Sequence, residues 1–356
     1  MLGLVPAALL VVIVLTDWAT SRGFHTIVWI ALVPGAAALL CSVRVTTVYA
    51  LLTIAVFVTD DVRYEDAFEA GWPGLILVAV CAAGAVAVCR GRVRAQRHAA
   101  HIREVAETTR QTVLRPLPYR WAGLEQAAAY TAADLAARVG GDFYDIQPSV
   151  YGTRVVLGDV QGKGLEAVAA ASALVGAFRE AAYYEGDLRD VARRMDRRLE
   201  RHRDHVRALG GDEAERFATA ALVNIPADGR GAVQLVNCGH LTPLAVSRRG
   251  VRPLKEAVSL PLGMLDLAAE NVRVASIELD RDETLLLMSD GVSEARDGEG
   301  VFFPVEETIR GAVATDPSLV EPAHLVRHVR DATARHTGGP LTDDTTVLAV
   351  RRQNTD

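Results

Sequence analysis

Two aspartates near the middle of the chain have the residue type and setting of a metal site. Asp142 belongs to the sequence Gly-Gly-Asp-Phe, and Asp159 ends the apolar run Val-Val-Leu-Gly-Asp. Carboxylate oxygens are the ligands that hard ions such as Mg²⁺ and Mn²⁺ prefer. Flanking glycines let the backbone approach such a group closely. Taken alone, each aspartate also fits a tight turn with a solvated side chain.

The two aspartates lie on what the sequence predicts to be one β-hairpin. Phe143 to Ile146 and Arg154 to Leu157 are predicted strands, with turn residues between them. If Pro148 pairs with Thr153, the same register places Asp142 opposite Asp159. Side chains opposite one another on one face are about 4.5–5.5 Å apart at Cβ, so two carboxylates there repel unless a cation lies between them.

Further acidic residues occur at predicted strand ends downstream. Thr284 to Met288 is a buried-strand run that ends before Asp290-Gly291, and Asp343-Asp344 precedes a C-terminal strand. No Cys/His set with metal-ligand spacing accompanies them. Four such acidic positions in one domain favour a site for two metal ions with oxygen ligands only.

Six motifs in order give the chain a specific resemblance. The sequence resembles the SpoIIE-like branch of the PPM (metal-dependent) serine/threonine phosphatases from about Gln111 to Arg352. The motifs that establish it are Gly140–Asp145, Gly158–Gly164, Asn237–His240, Pro261–Gly263, Ser289–Val292 and Asp343–Thr346.

The resemblance implies a fold, cofactors and ligands. The fold is an α/β, PPM-type α-β-β-α sandwich of two antiparallel sheets flanked by helices. Asp159 would bridge two Mn²⁺ or Mg²⁺ ions, Asp142 would bind one of them, and Asp290 and Asp343 would bind the other. The Val160 carbonyl would also reach a metal. Asp344 would either bind a metal itself or hold a metal-binding residue in place.

The resemblance also implies a substrate, a phosphoserine or phosphothreonine on a partner protein. In this family the partner is typically an anti-anti-sigma (STAS-domain) protein of a bacterial partner-switching system. Lys163 stands where members often have His; it would attract phosphate, act as a general acid if its pKa were depressed, or be a solvated turn residue. Cys238 is not expected to be a nucleophile, because no arginine-rich phosphate cradle adjoins it. His240 would shape the site or simply form a turn.

The first 89 residues are strongly apolar and predict about four membrane spans. The runs are Leu2–Thr16, Thr26–Cys41, Thr46–Thr59 and Trp72–Cys89. Arginines follow the fourth run, whereas the loop before it is mostly acidic; this bias predicts a multi-pass protein of the cell membrane with its C-terminal domain in the cytoplasm. A buried helical bundle in a soluble protein is the alternative.

The predicted organisation has three parts: a transmembrane region over 1–89, a linker helix over 90–113 and a phosphatase domain over 114–352. The linker has a stripe at Ile102, Val105, Thr109 and Val113, which suits either a short dimerising coil or a plain connecting helix. A homodimer is therefore one possibility. The proline-containing Leu114–Pro118 ends the helix.

Two helices are predicted after the hairpin, from Leu165 to about Ala182 and from Asp187 to Val206. Asp187 is the expected N-cap of the second, and Leu188, Val191, Met195 and Leu199 its buried stripe. Eight arginines surround that stripe. They suit a solvated face paired with Asp and Glu, or a docking face for an acidic partner.

Composition excludes some functions and leaves others open. The 356-residue chain has a net charge of −6, which gives no basic footprint for nucleic acid. The Gly-Gly-Asp-Phe sequence also resembles the signature of diguanylate cyclases, although Phe143 stands where they have Glu. A sensor kinase phosphorylated on His98 or His101 is another interpretation, but the sequence lacks the Asn-rich and Gly-rich ATP site that a kinase would need. A catalytically silent membrane scaffold is the third.

Overall fold

A computed structural model of the protein describes residues 4–19, 26–63, 71–131, 140–211, 216–227, 232–255, 258–267, 271–339, 341 and 343–353. Within these ranges, the side chains of 26–28, 60–63, 71 and 98–113 are not described. The chain divides into two compact units, Met1–His101 and Ile102–Asp356.

The first unit is helical. Its elements are α1 (Leu4–Ala19), a 3₁₀ turn (Thr26–Ala31), α2 (Leu32–Leu40), α3 (Val43–Arg63) and the start of α4 (Gly71–Val113). A small apolar cluster includes Ile13, Ile30 and Phe57. Arg92 donates to the carbonyl of Cys41 (2.7 Å) and to that of Leu39, so its guanidinium satisfies carbonyls at the C-terminal end of α2.

The membrane prediction finds partial support in this unit. One helix of the described chain, Trp72–Arg97 within α4, is long and apolar enough to cross a membrane. Leu4–Ala19, Trp29–Leu40 and Val43–Thr59 are apolar but shorter than a span requires. The structure therefore supports a span-length helix at the fourth apolar run only. The other three spans remain a prediction from the sequence.

The predicted linker is not a separate element. Gly71–Val113 forms one continuous helix, so no break separates the fourth apolar run from residues 90–113. The helix ends at Val113, directly before Leu114–Pro118, as the prolines predict. The side chains of the proposed dimerising stripe, Ile102 to Val113, lie outside the described side chains, and that hypothesis stays a prediction.

The second unit contains two antiparallel sheets, as the resemblance implied. One has the order β1-β2-β11-β10-β7-β8 and the other β3-β4-β5-β6-β9. The strands are β1 (Arg120–Trp121), β2 (Leu124–Thr131), β3 (Phe143–Ser149), β4 (Gly152–Val160), β5 (Ala218–Ile225), β6 (Val233–Cys238), β7 (Leu244–Ser247), β8 (Gly250–Pro253), β9 (Ala275–Ile277), β10 (Thr284–Met288) and β11 (Thr345–Arg352).

The predicted hairpin register is confirmed. Pro148 pairs with Thr153 and Phe143 with Gly158. Both strands are longer than predicted, because the residues between them contribute to pairing and leave only Val150 and Tyr151 in the turn. Gly152 follows with a φ of 124°, a conformation that glycine adopts without strain.

Helices cover the outer face of each sheet. Next to β3 and β4 lies α5 (Leu165–Tyr184), and next to α5, β5 and β6 lies α6 (Leu188–Ala208). On the other sheet, α9 (Pro322–Thr337) lies next to β2 and β11, and α8 (Val305–Thr315) packs near β8. A single turn, α7 (Asp290–Ser293), follows β10. The Asp187 side chain accepts from the Arg189 amide (2.8 Å), which confirms the predicted N-cap.

Apolar side chains hold these layers together in two clusters. One contains residues of both sheets together with α5 and α6, including Phe143, Leu174, Phe178 and Leu285. The other joins β7, β10 and β11 to α8 and α9. In α6 the predicted stripe of Leu188, Val191, Met195 and Leu199 is fully buried. This packing leaves the strand ends, with their acidic residues, at the margin of the sandwich.

Candidate active site

The hairpin brings its two aspartates together, as the register predicted. Asp159 is in β4 and Asp142 immediately precedes β3, so the two carboxyl groups lie close enough for the charge of Asp159 to act on Asp142. Burial and then the charge of Asp159 raise the pKa of Asp142 well above its usual value. Burial, followed by the charges of Asp290 and Asp343, raises the pKa of Asp159 to about 7.

Two glycines before β3 leave space for Asp159, Asp344 and the Val160 carbonyl. A Cβ atom at Gly141 would lie 2.3 Å from the Val160 carbonyl oxygen and 2.8 Å from Asp159 Oδ1. One at Gly140 would lie 1.3 Å from Asp344 Oδ2. The absence of side chains at both positions therefore leaves the carbonyl of Val160 and two carboxylates room near the hairpin.

Hydroxyl groups from the other sheet fix Asp142. Ser289, after β10, donates to Asp142 Oδ2 at 2.7 Å, and Thr346, in β11, donates to the same oxygen at 2.5 Å. All three residues are buried. The Thr346 amide also donates to Ser289 Oγ (2.8 Å). These bonds tie the end of one sheet to the end of the other, a role that the sequence motifs containing Ser289 and Thr346 did not predict.

The second sheet supplies the remaining carboxylates. Asp290 begins α7 and is exposed, and partial desolvation together with the charge of Asp343 raises its pKa. A Cβ atom at Gly291 would meet the Asp344 carbonyl oxygen at 1.9 Å, which shows how closely the two loops pack. Asp343 Oδ1 forms an ion pair with Lys163 Nζ at 2.8 Å. Lys163 thus contacts an acidic side chain from the opposite sheet.

Asp344 lies deeper than its neighbour. It is buried and hydrogen-bonded to the phenol of Tyr130 in β2, whose hydroxyl also accepts from the Gly140 amide (3.3 Å). Burial and the charge of Asp344 raise the pKa of Tyr130, so the phenol remains a neutral donor at physiological pH. Tyr130 had no signal in the sequence, because only the pairing of β2 with β11 brings it here.

Arg216 is a second residue that sequence analysis missed. It lies just before β5, and its guanidinium donates to the Gln161 carbonyl and pairs with Glu166. A Cβ atom at Gly162 would come within 2.8 Å of Arg216 Nη1. Arg216 therefore holds the loop between Asp159 and α5, which carries Lys163. Nothing in the spacing of the sequence connects Arg216 with that loop.

His240 and Cys238 have structural environments. The His240 amide donates to Asn237 Oδ1 (2.7 Å), and its Nδ1 lies 2.8 Å from Thr219 Oγ1. Burial lowers the pKa of His240 to about 4, so the ring is neutral at physiological pH. Burial also raises the pKa of the Cys238 thiol to about 12. A fully buried, protonated thiol cannot attack a substrate, as predicted for Cys238.

The donor set suits hard divalent ions. It consists of carboxylates whose pKa values are raised by burial and then by their mutual repulsion, together with the main-chain carbonyl of Val160 beside Gly141. In the described part of the chain, no three His, Cys, Asp or Glu side chains converge on one metal position. The carboxylates are instead engaged by protein donors, as Asp142 is by two hydroxyls and Asp343 by Lys163.

Two facing antiparallel sheets, covered by helices and edged with paired carboxylates, define a phosphoprotein phosphatase domain of the PPM class. A family model described as stage II sporulation protein E (SpoIIE) matches residues 150–353. The chain belongs to this family. The residues before 150, including Gly140 to Asp145, precede the matched segment.

Solved structures show the same fold. The structure of the RsbU and RsbW domains of Rv1364c from Mycobacterium tuberculosis is 24% identical, with a TM-score of 0.51, over 66% of this chain and 61% of that one. The SiaA-PP2C domain of Pseudomonas aeruginosa is 18% identical, with a TM-score of 0.58, over 73% of this chain and 98% of that one. A comparison with curated proteins finds no significant match.

The cyclase and kinase hypotheses find no support in the fold. Diguanylate cyclases have Glu at the position of Phe143. Here Phe143 is fully buried in β3 and belongs to the core of the phosphatase domain. The side chains of His98 and His101 lie outside the described ones. A catalytically silent domain of the same fold is the hypothesis that an activity assay must test.

Proposed function

We propose that the chain is a Mn²⁺- or Mg²⁺-dependent serine/threonine protein phosphatase. The observation that supports this most directly is the meeting of Asp142 and Asp159 at the end of one sheet with Ser289 and Thr346 of the other. The site thereby holds two desolvated carboxyl groups in place. Burial, and then the charges of neighbouring carboxylates, raise the pKa values of both groups, and a divalent cation would offset that unfavourable negative charge.

The proposed ligands follow the family pattern. Asp159 would bridge two ions, Asp142 and the Val160 carbonyl would bind on the hairpin side, and Asp290 and Asp343 would bind from the other sheet. Asp344 is better suited to support the site, since it is buried and hydrogen-bonded to Tyr130. When bound, such ions lower the pKa of a coordinated water and stabilise negative charge on a phosphoryl group.

The chain's own residues would orient the substrate and keep the site ordered. Lys163, beside Asp343 and partly exposed, provides a positive charge at the entrance that would attract the substrate phosphate. Arg216 fixes the loop that carries Lys163. Cys238 is buried and cannot form a phosphoenzyme, so water is the proposed nucleophile.

The proposed substrate is the phosphorylated STAS-type anti-anti-sigma protein of a partner-switching pathway. This proposal rests on the family resemblance and not on a docking surface. We further propose that the phosphatase unit lies in the cytoplasm, anchored to the cell membrane by the apolar region. The span-length helix Trp72–Arg97 and the arginines at positions 90, 92, 94 and 97 support that orientation.

Phosphate release by the full-length chain in mild detergent tests the activity. The substrates are a phosphoserine peptide and a generic aryl phosphate, each with Mn²⁺, with Mg²⁺ and with EDTA. We expect release with a divalent ion, and its loss in EDTA and in Asp159→Asn and Asp290→Asn. Asp204→Asn is the matched control, because Asp204 is an exposed residue of α6 that pairs only with Arg207 among the described residues. Folded protein without activity under every condition would favour the silent scaffold.

A further inference from the structure

A groove of about 690 Å³ runs between α5 and α6, on helix faces that the sheet does not cover. Small residues of α5, including Ala173, Gly176 and Ala177, form its floor. Three arginines of α6, Arg197, Arg198 and Arg201, line the opposite side. A backbone or helix could approach the floor closely, because no large side chain fills it.

The arginines of α6 divide into two groups. Five are engaged within the described chain: Arg189 with Asp187, Arg193 with Asp190, Arg194 with Glu185, Arg203 with the Gly263 carbonyl and Arg207 with Asp204. Arg197, Arg198 and Arg201 form no ion pair with any described residue. The three without such a pair are all in the groove.

The charge of the groove is therefore not balanced within the described structure. Glu180 is the one acidic residue among those that line it, and it lies on the opposite helix without an ion pair to these arginines. Arg194 also lines the groove but is neutralised by Glu185. Carboxylates of a bound segment would complete the pairing that the other arginines of α6 obtain from the chain itself.

We propose that the groove between α5 and α6 binds an acidic segment of a partner protein, with its carboxylates on Arg197, Arg198 and Arg201. The concave shape and small-residue floor favour a polypeptide over a membrane surface. Large exposed apolar residues, which would enter a bilayer, do not line the groove. The proposal goes beyond the phosphatase activity and does not depend on it.

Binding of labelled peptides to the full-length chain in mild detergent tests the proposal. The probe is an alanine-based helical peptide with glutamates spaced three and four residues apart along one face. The same peptide with glutamine in place of glutamate is the negative control. Fluorescence anisotropy at low and high salt measures the affinity, since exposed ion pairs weaken as ionic strength rises.

Two variants separate the groove from charge in general. Arg197→Gln with Arg201→Gln removes two groove charges, and Arg193→Gln with Arg207→Gln removes two charges from the same helix outside the groove. Gly176→Gln keeps the charge but fills the floor; a Cβ atom there meets nothing within 4 Å, so the helix tolerates it. Thermal unfolding shows whether each variant is folded.

We expect the acidic peptide to bind, and the groove double variant and Gly176→Gln each to weaken binding by about five- to tenfold. The control double variant should bind within about twofold of wild type. Absence of binding, or equal losses in the groove and control variants, would overturn the proposal. The proposal would also be overturned if the peptide failed to bind and the groove bound a membrane instead. That result would be binding to phosphatidylcholine vesicles that contain phosphatidylglycerol, with loss of this binding in the groove variants.

Discussion

Replacing Asp159 by Asn should stabilise the metal-free protein while it abolishes the metal response. Asp159 is held against Asp142, and its pKa is raised from 3.8 to about 7, first by burial and then by nearby acidic groups. The folded protein thus binds this proton more tightly than the unfolded chain does. Its free energy of unfolding falls as pH rises from about 4 to about 7, because the carboxyl group must lose the proton in an unfavourable place.

The size of the effect follows from the pKa difference. At about 1.4 kcal/mol for each pH unit, the difference between 3.8 and about 7 corresponds to up to about 4 kcal/mol at pH 8. For a unit of this size, each kcal/mol changes the unfolding midpoint by about 2–4 °C. The Asp159→Asn variant in EDTA should therefore unfold on the order of 10 °C higher than wild type at about pH 8. Near pH 4 the two should differ little.

Scanning calorimetry in EDTA at both pH values, repeated with Mn²⁺, measures this. Wild type should gain stability from Mn²⁺, and the variant should not. Asp145→Asn is the matched control from the same hairpin, because Asp145 is also buried but forms an ion pair with Arg179. Removing this carboxylate should lower the free energy of unfolding by about 1–3 kcal/mol. An Asp159→Asn protein that is less stable than wild type at pH 8, or equally altered at both pH values, would refute the reasoning.

Three further outcomes are expected. Thr346→Val removes a hydroxyl donor to Asp142 and keeps the shape of the side chain. The affinity for Mn²⁺, measured by calorimetric titration, should therefore fall about tenfold while the fold stays intact. Unchanged affinity would show that Thr346 does not support the site. In wild type, the affinity for Mn²⁺ should rise steeply between about pH 5 and pH 8. The reason is that the ion displaces protons from Asp142 and Asp159, whose pKa values are raised. An affinity that does not change with pH would contradict this. Cys238→Ala should retain activity, and the native thiol should resist iodoacetamide until the protein unfolds.

Much of the fold was predictable from local patterns. The β3–β4 register, the N-cap at Asp187 and the buried stripe of α6 all followed from alternation, turn residues and helical spacing. These features depend on residues close together in sequence, for which backbone geometry fixes which side chains meet. The two-sheet fold was predicted in another way, from the resemblance that six motifs in a fixed order give to a known family.

Local patterns did not predict the continuity of α4. The fourth apolar run and the polar helix after it were separated by composition, yet the backbone runs through both. A change from apolar to polar residues alters the environment of a helix without breaking its hydrogen bonds. A proline does break them, and the helix indeed ends before Leu114–Pro118.

The sequence by itself determined which carboxylates are candidate metal ligands and that Asp142 and Asp159 lie opposite each other on one hairpin. Only the tertiary structure decided what surrounds them. Ser289 and Thr346 reach Asp142 from more than 140 residues away along the chain, and Tyr130 reaches Asp344 through the pairing of β2 with β11. Contacts of this kind arise when two sheets pack face to face, and no local pattern encodes which side chains then meet.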